Sequence, residues 1–229
     1  FIAEQLTRDI RGTNQAVRNA SDGISLGQTA EGALGEIGNN LQRIRELAVQ
    51  SANATTGNRT GIQAEVDQLT QEISRIIQTT EFAGNGLLSA ATSLTFQVGA
   101  SGAASNQLSV STVTMTAIAG YNASLTATGT VNVLSAASSS AALSALGAAL
   151  DTVNQSRATY GALQNRFEAV ISNLQNYAEN LTAARSRIQD ADFAAETANL
   201  TRSQILQQAG VSILAQANTL PQTALSLLG

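Results

Sequence analysis

Two pairs of carboxylates stand two residues apart, Glu65 with Asp67 and Asp190 with Asp192. Acids so close can in principle divide the work of a general acid and a general base. Neither pair sits in a recognisable catalytic motif. Gly32, Gly35 and Gly38 come nearest to a phosphate-cradling loop, yet they fall within a helical pattern and lack the lysine and spacing of a P-loop. They suit close approach of two helices instead. Asn53-Ala54-Thr55 and Asn58-Arg59-Thr60 match the glycan-acceptor triplet, which a chain this rich in Asn, Ser and Thr produces by chance.

Composition removes most other chemistry. The 229 residues include no Cys, His or Trp, and all twelve basic residues are Arg. Thiolate nucleophiles, imidazole bases, His- or Cys-ligated metals and Lys Schiff bases are therefore impossible, and no cofactor is expected. A formal charge of −4 with few aromatics offers neither a basic field for phosphates nor stacking platforms, so nucleic acid is not an expected partner. These exclusions point to a structural protein rather than an enzyme. No basic segment followed by an apolar run opens the chain, so no secretory leader is read. The chain begins at Phe1 and not Met, and its start is expected to be trimmed.

The elements follow from charge and periodicity. Residues 82–150 carry no Asp, Glu, Lys or Arg, while both flanks do, which divides the chain into helix, insert and helix. Leu34, Ile37, Leu41, Ile44 and Ala48 step by three and four along one helical face. The stretch 51–61 then breaks the pattern, and Ile62, Val66, Leu69, Ile73 and Ile76 resume it in a second helix. Leu6, Ile10 and Val17 suggest a further helical stretch upstream, whose continuity with Leu34 is weakened by the intervening glycines at up to about 1 kcal/mol each.

In the third zone Leu163, Phe167, Val170, Leu174, Tyr177, Leu181, Ala184 and Ile188 alternate steps of four and three, the seam of a coiled coil, on a helix from about Leu150 to Arg187. The resulting fold class is mainly α: an elongated antiparallel helical bundle of N- and C-terminal segments, with a β-hairpin and a small β or irregular central insert. Leu94–Val98 and Gln107–Ser111 alternate apolar and polar about a turn-like stretch and form the hairpin. The uncharged centre is expected to project from the far end of the bundle. The expected divisions are 1–89, 90–111, 112–144, 145–195 and 196–229.

After Arg202 no charge appears, and Ile205, Leu206, Ile213, Leu214, Leu225, Leu227 and Leu228 dominate a tail that wants burial. Interspersed glutamines deny it the run of about 18 apolar residues that a membrane span needs. Taken alone, it reads first as a buried helix of the same chain.

Residues 21–53, SDGISLGQTAEGALGEIGNNLQRIRELAVQSAN, resemble the N-terminal signature of bacterial flagellins. Residues 63–88, the FQVGA of 96–100, and 165–229 are similar to the same family in the same order. The resemblance implies a secreted subunit of the bacterial flagellum that polymerises with other flagellin subunits and serves motility. It further implies that the tail, with Ile205, Leu206, Ile213, Leu214, Leu225 and Leu228, is buried on assembly and covered beforehand by an export chaperone, with secretion through the flagellar type III export apparatus. By the same resemblance Arg43, Leu47 and Glu65 match positions read by a host Toll-like receptor. Charged contacts between subunits are expected among Arg43, Arg45, Glu46 and Glu65, and Arg185, Arg187, Asp190 and Asp192. The alternative is a cell-surface binding protein or adhesin whose Ser/Thr-rich centre presents polar groups to a surface glycan.

Overall fold

The computed structural model describes residues 1–125, 130–190 and 193–228, with the side chains of 193–194 and 218–228 outside the description. Its order is α1 (Ile2–Ala52), α2 (Arg59–Thr79), β1 (Glu81–Phe82), β2 (Asn85–Gly86), β3 (Ser93–Gln97), β4 (Gln107–Ser111), α3 (Ala136–Gln189) and α4 (Phe193–Leu228).

Helix α1 is continuous over 51 residues, about 75 Å at 1.5 Å per residue. Its buried positions include Thr13, Ala16, Ala20, Gly23, Gly27, Ala30, Leu34, Ile37, Leu41, Ile44, Ala48 and Ser51, an unbroken alternation of three and four. The interruption feared from the glycines does not occur, because two of them belong to this seam. The upstream seam is also different from the expected one. Leu6, Ile10 and Val17 are only half-buried, and the core there takes Thr13, Ala16 and Ala20. The Thr13 hydroxyl survives inside because it donates back to its own helix, Oγ1 to the Asp9 carbonyl at 2.8 Å.

Helix α3 packs antiparallel along α1. Phe167 lies against Gly23, Gln164 against Gly27, and Val153 near Gly38, so residue numbers rise on one helix as they fall on the other. The expected approach of helices at Gly32 and Gly35 is not found, since nothing lies within 4 Å of a Cβ built at either. Helix α3 also begins at Ala136, well before Leu150, through a capping box in which Ser135 and Ser138 bond reciprocally. Its run of Ala and Ser suits a helix better than strands.

The expected seam on α3 is realised only in part. Phe167 is fully buried, Leu163, Val170, Leu174, Leu181 and Ala184 are half-buried, and Tyr177 and Ile188 are 48% and 55% exposed. Beyond Phe167 the start of α1 and the hairpin loop near Ala100 lie alongside among the described residues. Two helices side by side leave the outer flanks of both seams wet.

The hairpin β3–β4 pairs antiparallel with Phe96 opposite Leu108, and Phe96 meets Phe167 edge-on with centroids 5.5 Å apart. A second, two-residue hairpin β1–β2 turns through Ala83 and Gly84, both at positive φ.

The centre does not project from the far end. Residues 112–125 and 130–133 lie along α2 and bury Met115, Ile118, Val131 and Val133 in the common core. Polar side chains of α2 hold them there. The Gln63 amide donates to Val131 O at 2.9 Å and accepts the Val133 N–H at 2.7 Å. Gln71 donates to Leu125 O, Gln78 to Ala123 O, and Ser74 accepts the Asn122 N–H. Helix α2 therefore has a buried apolar face including Ile62, Val66, Ile73 and Ile77, and beside it a polar row, with Ser74 buried, Gln63 and Gln78 half-buried and Gln71 exposed, that the periodicity of large apolar residues does not reveal.

Candidate interaction surfaces

The first surface is a notch where α1, α2 and their connecting loop meet. The Arg43 guanidinium reaches Glu65 with Nη2 at 2.7 Å and Nε at 2.8 Å from Oε1, and Glu46 with Nη1 at 3.1 Å. The Glu65 carboxylate, and Glu46 after it, push the guanidinium pKa up. Leu47 is only 3% exposed and forms the floor, with Thr55, Thr56 and Gly57 as one wall. Of the three residues singled out as a recognition set, the fold thus brings all together but presents only Arg43 and Glu65 to solvent. The loop is rigidified by Arg59, which donates to the Ser51 and Asn53 carbonyls at the end of α1, and by Asn58, which caps α2 through the Gly61 N–H. Asn53 likewise accepts the Thr55 N–H, so both triplet asparagines serve turns.

Glu65 and Asp67 do not converge. Glu65 faces Arg43, whereas Asp67 accepts from Gln63 on the other side of α2. Asp190 accepts from Ser186, one turn earlier at the end of α3, and Asp192 lies outside the described residues. No metal-binding cluster of acids occurs among the described residues.

The second surface is the α4 helix. Leu200, Ile205, Leu206, Val211, Ile213 and Leu214 are all exposed, Ile213 at 68%. The tail is therefore a helix, as read, but its described part is not buried within its own chain. Leu225 and Leu228 lie among the side chains outside the description. No helix among the described residues is long and apolar enough to cross a membrane.

A pair of long antiparallel helices with an exposed apolar C-terminal helix is the arrangement of a subunit that leaves part of its apolar surface for neighbours. Residues 1–93 match the model of the bacterial flagellin N-terminal helical region, and residues 143–228 match that of the bacterial flagellin C-terminal helical region. The flagellin of Halalkalibacterium halodurans is 43% identical over 230 residues, covering 99% of this chain and 82% of the relative. The chain belongs to the bacterial flagellin family.

The flagellin of Bacillus subtilis is similar at 40% identity, covering 99% of this chain and 84% of its own. Among solved structures, Bacillus cereus flagellin superposes with a TM-score of 0.59 at 30% identity, over 73% of this chain and 94% of that one. This flagellin is a structural subunit of the flagellar filament, outside the cell, and assembles with other flagellin subunits. The two matched regions are the helical ends, and the stretch between them holds β3–β4, the clamped centre and the beginning of α3. Nothing in the comparisons supports the adhesin alternative.

The row that holds the centre, Gln63, Gln71, Ser74 and Gln78, was not legible as functional. Its signal is a stripe of polar residues at steps of eight, three and four on α2, which sequence alone does not distinguish from a solvated face.

Proposed function

We propose that this flagellin polymerises through α4 together with the open end of the α1–α3 pair, and that its part in swimming motility is mechanical, without catalysis. The observation that carries this is the set of exposed apolar side chains around α4 from Leu200 to Leu214. Burying six such side chains at about 1.5 kcal/mol or more each gains roughly 9 kcal/mol against the cost of ordering and association. A monomer alone cannot realise that gain; a neighbour can.

On the same reading, Ile205, Leu206, Ile213 and Leu214, and further along Leu225 and Leu228, are the residues an export chaperone would cover before passage through the type III export apparatus. The Arg43 and Glu65 notch, with Leu47 beneath, is the surface a host Toll-like receptor would read on free monomer. Both assignments rest on the family resemblance, supported by the exposure of Arg43, Glu65 and the apolar side chains of α4.

Deleting residues 196–229 from the natural subunit and imaging filaments by electron microscopy tests the proposal. Loss of filaments with soluble, helical monomer is expected. Normal filaments would sink it.

A further inference from the structure

Histidine, cysteine and lysine account for most side-chain proton exchange of folded proteins between about pH 6 and pH 10, and this sequence has none of the three. Apart from the chain ends, the side chains that titrate above the carboxylates are three tyrosines and twelve arginines. Arginine stays charged beyond about pH 12. It is also the cation of each ion pair among the described residues: Arg8–Asp9, Arg43–Glu46, Arg43–Glu65, Arg75–Glu72 and Arg157–Glu31. The side-chain charges that decorate the fold are thus fixed across that whole range.

The tyrosines then decide what happens above it, and they sit differently. Tyr177 is half-exposed at the open end of the bundle, and Tyr121 is half-buried in the centre. Tyr160 of α3 is 1% exposed. Its hydroxyl donates to Leu87 O at 3.3 Å and accepts the Val113 N–H at 3.4 Å. Leu87 and Val113 flank the β3–β4 hairpin, and the Met115 N–H donates to Leu88 O at 2.8 Å, so one phenol ties both strands of this crossing to α3.

The crossing brings no charge to the phenol, since residues 82–150 contain none. On its own helix Arg166 lines the neighbouring groove and Arg157 faces Glu31 of α1, which also accepts from Gln164. Burial raises the Tyr160 pKa, with the Val113 N–H acting in the opposite sense.

We propose that Tyr160 is an alkaline latch: its neutral phenol fastens the Leu87 and Val113 backbone to α3, and its ionisation ends an otherwise pH-insensitive range of the fold. Loss of the proton removes the hydrogen given to Leu87 O and sets a phenolate against that carbonyl oxygen. An unfolded tyrosine ionises near pH ~10, below the raised value of the folded state. The latch therefore contributes fully below about pH 10 and is lost as pH rises from there through the folded value.

The test is chemical denaturation of the full chain from about pH 6 to about pH 12, with Tyr160→Phe and Tyr177→Phe beside the parent. The parent and Tyr177→Phe should be flat to about pH 10, after which the folding equilibrium constant falls about tenfold per pH unit. Tyr160→Phe should lack that fall. The same fall in Tyr160→Phe, or weakening of the parent between about pH 7 and pH 9, overturns the latch. Should Tyr160→Phe not fold, phenolate absorbance of the parent decides. Tyrosine ionisation that reaches completion only as the helical signal collapses supports the proposal; all three tyrosines ionising in the native fold refutes it.

Discussion

The ring of Phe167 lies so close over Gly23 that a Cβ built on the glycine stands 2.6 Å from Phe167 Cε2. Phe167 is itself fully buried and holds Phe96 of the hairpin edge-on. One missing side chain on α1 therefore makes room for the aromatic contact that joins α1, α3 and β3.

Gly23→Ala should destabilise by about 1–3 kcal/mol, because overpacking at a ring wedged between two helices and a strand outweighs the helix-propensity gain. Gly32→Ala and Gly35→Ala, which meet nothing within 4 Å, should stabilise by up to about 1 kcal/mol each. Denaturant midpoints at constant slope measure all three, and a stabilising Gly23→Ala would show that the ring yields freely.

Gln63 completes both a donor and an acceptor of the centre, at Val131 O and Val133 N. Gln63→Ala leaves the Val133 N–H without its acceptor and should cost about 1–3 kcal/mol. Amide exchange at Val133 should accelerate much more than exchange in the middle of α1. Unchanged protection at Val133 would mean that the apolar contacts of Val131 and Val133 hold the segment alone.

Ala83 occupies the left-handed region at φ 50 in a two-residue turn whose second residue is Gly84 at φ 79. Such a turn favours Asn at its first position, where an alanine costs about 1 kcal/mol. Ala83→Asn should raise the thermal midpoint by a few degrees in calorimetry. A lowered midpoint would indicate that the turn is held by its surroundings in a geometry Asn cannot adopt.

Much of the helical architecture was readable without coordinates. The three-and-four spacing of Leu34, Ile37, Leu41, Ile44 and Ala48 reports a helix because a 3.6-residue turn returns those positions to one face. The break within 51–61, which the structure narrows to 53–58, is legible because its Asn, Thr and Gly favour turns, and the alternation of 94–98 and 107–111 because a strand has period two. The family resemblance also singles out Arg43 and Glu65 as recognition candidates, although not as partners across two helices.

What only the tertiary structure decided depends on surroundings that periodicity does not encode. Sequence placed Leu163, Phe167, Tyr177 and Ile188 on one stripe, but burial requires atoms on the opposite side. Those atoms are present at Phe167, where Gly23 and Phe96 meet it, and too few at Tyr177 and Ile188. It likewise made α4 apolar without saying whether its own chain would cover it. The uncharged centre looked loose because its stability comes from backbone groups paired with Gln63, Gln71, Ser74 and Gln78, and a glutamine facing solvent has the same letter as one facing a carbonyl. By itself the sequence determined that helices form, which family they belong to and that no lysine, histidine or cysteine titrates among them. Which side chains lie buried, and so which tyrosine can latch the fold, was settled by packing distant segments together, because desolvation depends on every neighbour at once.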